Sequence, residues 1–454
     1  MGLAGACGCD RSTVTCSRGV PREGWRILGP GGGGAQYIPT VKPGDPDTAL
    51  VACDMTCSFA TGDGGVTWRQ FNLKNWVKAF AFDPSHPDTV YAGATGLYRS
   101  DDSGQSWRLV FPNPSAVLGE QATGDEAKHA YLSTDNWPGG TVEAIAVDPT
   151  ESSRIAIGVN TGGLAVYLSL DHGASWTRCC GVEGSRFCRL VADPTSPPDD
   201  RRLFILTDAG LFRLAGARPA PERLPLPYGA ELTDLGCGIE GMAGKLVLYV
   251  TSPVSCEHGA ASGGVYRSSD GGETWETSST GLASDLAVGQ RRRLTSIAAC
   301  GQVAYVAAAE PSLEERLPGM GELCFGIFKS EDLGRSWRWV LRIGDRNPAN
   351  RTVGWVERDY ATDWGGAPFG LGVSPENPDV CYAADWGTTY RTVDGGRSWQ
   401  QLYCREHADG SVSTTGLDVT NTYTLAFDPF DEQHIALPCT DVGLFHSLNA
   451  GASW

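Results

Sequence analysis

The chain has little that would take it to a membrane or to nucleic acid. No apolar run approaches the ~20 residues that cross a bilayer, and Met1 to Trp25 lacks the apolar centre of a signal peptide. Leu3-Ala4-Gly5-Ala6-Cys7 is the nearest thing to a lipoprotein processing site. Basic charge is scarce: 36 Lys and Arg against 53 Asp and Glu leave a net charge of -17. A phosphate backbone needs clustered cations, so nucleic acid is excluded and neutral or cationic partners are expected. Histidine is thin, with 7 in 454 residues. None lies at ligand spacing from Cys7-x-Cys9 or from the vicinal Cys179-Cys180, so neither a metal centre, another cofactor nor a Cys-His nucleophile is expected, although the chain holds 15 Cys. Helical periodicity is missing from every long stretch.

What is plentiful is Gly (59), Pro (27) and Trp (14), which fits many short strands joined by turns: an all-β chain. One unit recurs throughout. It reads Ser268-x-Asp270-x-Gly272-x-Thr274-Trp275, and again at Thr61–Trp68, Ser100–Trp107, Ser169–Trp176, Ser330–Trp337, Thr392–Trp399 and, with Asn449 for Asp, Ser447–Trp454. In such a turn the Asp and the hydroxyls bond backbone N–H groups, Gly takes φ > 0 and Trp packs beneath. Seven copies cannot be seven active sites, so these residues are read as turn staples.

Between them runs a second pattern of apolar strand, Asp-Pro, short turn and strand, as at Ala79–Pro84, Ala144–Pro149, Leu190–Pro194 and Leu425–Pro429. Leu203–Arg213 reads as a repeat whose box is lost. Together these give a β-propeller of seven or eight four-stranded blades with box turns at the periphery, spanning residues 25–454 after an N-terminal tail, 1–24. Trp25-Arg-Ile-Leu28 resembles the strand after a box yet has no box before it. It is expected either to complete the last blade, which ends at Trp454, or to signal that the chain is cut from a longer protein.

Long insertions at Asn113–Gly140, Glu310–Gly321 and Arg342–Pro368 should wall a cleft. Trp137, Trp355, Tyr360 and Trp364 in them are the expected sugar-stacking aromatics. Gly29–Gly34 is no phosphate loop, because no Lys-Ser/Thr follows.

The repeat resembles the Asp box of sialidases, family 74 glycoside hydrolases and sortilin-type receptors. The start of the chain is similar to the family 74 enzymes, in which a Trp strand leads to a Gly-rich turn and then a Thr-Asp-Ile-Gly-Gly-Ala-Tyr-type segment. Ala52-Cys53-Asp54-Met55-Thr56-Cys57-Ser58-Phe59 occupies that place, with Thr56 and Cys57 where the family has its Gly pair. The resemblance implies that Asp54 is the catalytic base. It puts the acid in a second such segment, either Ala384-Asp385-Trp386-Gly387 or Thr440-Asp441-Val442-Gly443; Thr207-Asp208-Ala209-Gly210 shares the pattern. The implied activity is inverting hydrolysis of a neutral polysaccharide by two carboxylates, in an extracellular or periplasmic protein. The sialidase Arg-Ile-Pro segment is missing, Tyr37-Ile38-Pro39 being the nearest match. The alternative is a non-catalytic propeller that binds protein, peptide or glycan, as sortilin-type domains do.

Overall fold

The computed structural model describes residues 27–123, 128–135, 137, 139–215, 220–226, 231–241, 244–257, 260–309, 324–344, 348–360 and 369–454. Blade 1 sets the pattern: strands Gln36–Lys42, Asp45–Cys53, Cys57–Thr61 and Arg69–Asn72 pair antiparallel in sequence order. The first strands of blades 2 to 7 are Ala79–Phe82, Thr141–Val147, Phe187–Ala192, Asp234–Glu240, Arg291–Cys300 and Gly370–Val373. These seven inner strands neighbour one another in chain order, and the last packs on the first, so they form a closed ring. Blades 5 and 6 also pair through Val254 and Arg292, which joins them into one eight-stranded sheet. Blade 4, Leu203–Arg213 included, is the one whose box is lost.

The ring closes between blades 7 and 1, where Gly372 of blade 7 lies so close to blade 1 that a Cβ there would sit 2.1 Å from the Pro39 carbonyl oxygen; only Gly permits that approach. The Gln36 N–H also donates to the Asp385 carbonyl at 2.9 Å. Trp25 and Arg26 lie outside the described residues, while Leu28 lies against Gly451 of the last box. The repeat carrying that box forms a three-stranded sheet, Ala426–Phe427, Ile435–Cys439 and Gly443–Ser447, which pairs with no ring strand among the described residues. The Gly29–Gly34 run threads between this region and blade 7, with Gly32 N–H on the Leu417 carbonyl (2.6 Å) and Gly33 N–H on that of Gly387 (3.2 Å).

The boxes are built as their spacing requires. Ser268 Oγ accepts from Gly272 N–H (2.9 Å) and donates to Asp270 (2.7 Å), which accepts from Thr274 N–H (3.0 Å). Burial alone would raise the Asp270 carboxyl, but the Thr274 and Ser268 bonds prevail and hold it at about 2. The tryptophans do more than sit under their own turns. Trp68, Trp337 and Trp399 donate from Nε1 to the carbonyls of Leu402, Ser278 and Val340, each in or after the preceding blade (3.2, 2.7 and 3.2 Å). Trp107 stacks on Phe71 of blade 1 at 5.3 Å. Each such tryptophan therefore fastens neighbouring blades, and the apolar clusters lie between sheets.

The box joins the third strand to the fourth, whereas the turn at Asp54 joins the second to the third. In an antiparallel sheet these are opposite ends of one strand. The Asp54, Asp208 and Asp385 turns thus share the face away from the boxes.

Candidate active site

Three turns that open on Asp, at Asp54, Asp385 and Asp441, are the sequence candidates, and their surroundings separate them. Asp385 is wholly buried. Its Oδ1 accepts from Gly387 N–H (2.9 Å), Thr388 N–H (2.7 Å) and Thr388 Oγ (2.7 Å), so it staples its own turn. Its Oδ2 is buried with no hydrogen-bond partner among the described residues. Burial, against those donors and with the charge of Glu357 assisting, pushes the carboxyl up to about 7. With no exposed surface, the Asp385 side chain has no open path to a glycosidic oxygen.

The shift has a testable sign. A carboxyl raised from 3.8 to about 7 by folding stabilises the fold fully below the unfolded value, and that stability is lost as pH rises through the folded value. Chemical denaturation from about pH 4 to about pH 8 should show wild type losing on the order of 4 kcal/mol relative to Asp385→Asn, most of it before pH 7. Parallel pH profiles would contradict the buried-acid assignment.

Asp441 stands on the sheet outside the ring, in the turn between Ile435–Cys439 and Gly443–Ser447, and is exposed. Its φ of 67° is a left-handed conformation that Asp and Asn tolerate better than other side chains. The turn is pinned from both sides: Thr440 N–H donates to the Asn421 carbonyl (2.8 Å), and the Tyr360 hydroxyl donates to the Val442 carbonyl (2.5 Å). Asp54 is half-buried in the blade 1 turn, where Thr56 has φ 63° and its Oγ accepts from Asn72 Nδ2 (3.1 Å). Asn421 connects the two turns, since its Nδ2 lies 3.8 Å from Met55 Sδ. The Asp54 and Asp441 turns are therefore neighbours across one residue, although 387 positions separate them in sequence.

The aromatic surface beside Asp54 is not the expected one. Trp355, the first residue of the helix Trp355–Asp359, is 1% exposed, with Nε1 on the Gly31 carbonyl (2.8 Å) and Phe445 at 5.0 Å. Trp137 is 8% exposed and packs edge-on to Phe111 at 4.9 Å. Buried rings have no face for a sugar, and both are corrected to core residues. Tyr360 is half-buried and holds the Asp441 turn. Trp364 and the insertion from Glu310 to Gly321 lie outside the described residues. In their place Trp386, 51% exposed, meets Phe369 edge-on at 4.8 Å, and Phe369 stacks on Tyr37 at 5.4 Å. Burial first, then the charges of Asp54 and Cys53, raise the Tyr37 phenol to about 12. Trp386 was legible as the aromatic of Asp385-Trp386-Gly387: the staple that buries Asp385 turns the next side chain outward. Tyr37 and Phe369 carry no local signal.

Inside the ring a cavity of about 340 Å³ is lined by Ile38, Lys78, Glu143, Arg186 and Phe369, with the Arg189–Asp234 pair (2.7 Å) on its wall. None of the three candidate carboxylates lines it. Burial lowers the Lys78 ammonium, opposed by Glu143. Among the described residues no three His, Cys, Asp or Glu gather as metal ligands, and no helix is long and apolar enough to cross a membrane.

No family model matches the chain. It is 21% identical over 399 residues to a xyloglucanase of Acetivibrio thermocellus, covering 82% of this chain and 39% of that protein. A xyloglucanase of a Paenibacillus species is 27% identical over 214 residues, or 46% of this chain and 17% of that one. The chain thus spans about two fifths or less of the length of these relatives. Among solved structures it is similar to an ancestral family 74 enzyme, with TM-score 0.69 and 18% identity over 95% of this chain and 55% of that one. The family 74 xyloglucanase of Xanthomonas campestris gives TM-score 0.57 and 15% identity over 95% and 68%. The fold is that of the family 74 glycoside hydrolases.

Proposed function

We propose that the chain carries the catalytic carboxylates of an inverting glycoside hydrolase acting on a neutral β-glucan-type polysaccharide, xyloglucan being the first to try. The observation that carries this reading is the approach of the Asp54 and Asp441 turns across Asn421, beside the exposed aromatic edge of Trp386, Phe369 and Tyr37. The xyloglucanases among its relatives support the substrate class, and a glycan substrate fits an extracellular or periplasmic protein.

Asp54 is the base. It takes a proton from a water that attacks the anomeric carbon, while Asp441 protonates the departing glycosidic oxygen from the opposite side of the sugar. The C–O bond breaks, water supplies the new oxygen, and the product hemiacetal has inverted configuration. Inversion requires room for that water, with carboxylates about 6.5–9.5 Å apart. Aromatic faces suit the apolar faces of neutral sugars, and a chain of net charge -17 repels polyanions.

The test is a panel of neutral and anionic polysaccharides with the purified protein, followed by NMR of the first-formed anomer. Cleavage of a neutral β-glucan with an inverted anomer is the expected outcome. A retained anomer would replace the mechanism, and binding without cleavage would favour the non-catalytic propeller.

A further inference from the structure

The turn that carries Asp54 is bracketed by two cysteines. The second and third strands of blade 1 pair Ala49 with Thr61, Leu50 with Ala60, Val51 with Phe59 and Ala52 with Ser58, so the next rung of the ladder sets Cys53 opposite Cys57. Both side chains are buried, and their sulfurs lie 3.0 Å apart. Directly opposed residues of an antiparallel pair have Cα atoms about 4.5–5.5 Å apart, within the span of about 4.4–6.8 Å that a disulfide bridges.

We propose that Cys53 and Cys57 form a reversible dithiol–disulfide site that closes the Asp54 turn into a covalent ring. The inference rests on the geometry of this turn and not on the hydrolase reading. In the forward direction the Cys57 thiolate, the more accessible of the two at 5% exposed against 1%, attacks a small-molecule disulfide such as oxidised glutathione, forming a mixed disulfide and releasing one thiol. The Cys53 thiolate then attacks the Cys57 sulfur, the S–S bond between them forms, and a second thiol leaves. The two cysteines lose two electrons and two protons in all, and the small disulfide is reduced to two thiols.

The order of attack follows from the environment of each sulfur. The contact between the two sulfurs lowers the Cys57 thiol against the opposing effect of burial, with Gln70 assisting. Cys53, whose Sγ donates to the Cys57 carbonyl at 3.3 Å, is raised by the same contact and by burial. The thiolate is the nucleophile, so Cys57 attacks first and Cys53 resolves. Met55 N–H already donates to Cys53 Sγ at 3.4 Å, so the turn is folded around the sulfur it would bond through. Closing the ring confines Asp54, Met55 and Thr56.

The tryptic peptide Ile27–Arg69 isolates the pair, because Lys42 precedes Pro43 and no other Cys lies within it. The protein is incubated with dithiothreitol or with excess oxidised glutathione, denatured, alkylated and mapped by mass spectrometry. After dithiothreitol both cysteines should be alkylated. After oxidised glutathione the peptide should be lighter by the two thiol hydrogens and take up no alkyl group, reversibly, and amide exchange at Met55 and Thr56 should slow. In Cys53→Ser the resolving thiol is gone, so a glutathione adduct should accumulate on Cys57; the wild-type result stands alone should that variant fold poorly. Full alkylation after oxidation, stable glutathione adducts on both wild-type cysteines, or pairing of either with another cysteine would overturn the proposal.

Discussion

Hydrolysis by Asp54→Asn is expected to fall roughly 10² or more below wild type, the range in which a positioned general base contributes. Asparagine keeps the shape of the side chain and removes its ability to accept a proton. Asp441→Asn should cost a similar factor on the polysaccharide, whose alkoxide leaving group must be protonated. The two roles separate on aryl glycosides with acidic phenols: these leave without a proton, so Asp441→Asn should recover most of its loss while Asp54→Asn should not. Asp385→Asn retains the Oδ1 that accepts three bonds within its turn, so kcat should stay within a few-fold of wild type. Wild-type rates in Asp54→Asn would remove the base, and a large kcat loss in Asp385→Asn with none in Asp441→Asn would exchange the acids.

The other large effect concerns the ring. Trp399→Ala should cost about 3–5 kcal/mol in chemical denaturation, as truncation of a fully buried aromatic does. Its indole is 1% exposed and its N–H reaches the Val340 carbonyl of blade 6 at 3.2 Å. Truncation opens a cavity between two sheets and leaves that carbonyl without this donor. Trp275, by contrast, is half-buried, and its N–H turns back to Gly272 of its own box at 3.2 Å. It follows blade 4, which has no box, and Trp275→Ala should cost less than about 2 kcal/mol, in line with the smaller area it removes from water. Equal losses at the two positions would mean that the tryptophans act within their turns and do not join blades.

The box sequence by itself determined the turns, because every atom that holds Asp270 lies within eight residues: Ser268, Gly272 and Thr274 are fixed by spacing. The repeat also determined an all-β propeller and the hidden blade at Leu203–Arg213, since strand period and turn chemistry are local properties. The number of blades in the ring was not local. Whether seven or eight inner strands close depends on the approach of Gly372 to Pro39 across the whole chain, and the closed ring leaves the last repeat outside.

The site divides in the same way. Asp54, Asp385 and Asp441 share one turn pattern, because the turn between second and third strands favours an Asp whose carboxylate can bond the backbone N–H groups that follow. The pattern therefore reports the turn and cannot tell a buried staple from an exposed carboxylate. Only the packing of blade 7 against blade 1 buries Asp385 and leaves Trp386 facing solvent, and only the fold of residues 418–447 over the blade 1 turn brings Asn421 to Met55 and Asp441 to the neighbourhood of Asp54. Trp137 and Trp355 show the converse: a tryptophan in an insertion reads as a surface ring, yet the energy of removing so large an apolar side chain from water draws it into whichever gap the neighbouring blades leave open, and no spacing in the sequence marks where that gap will be.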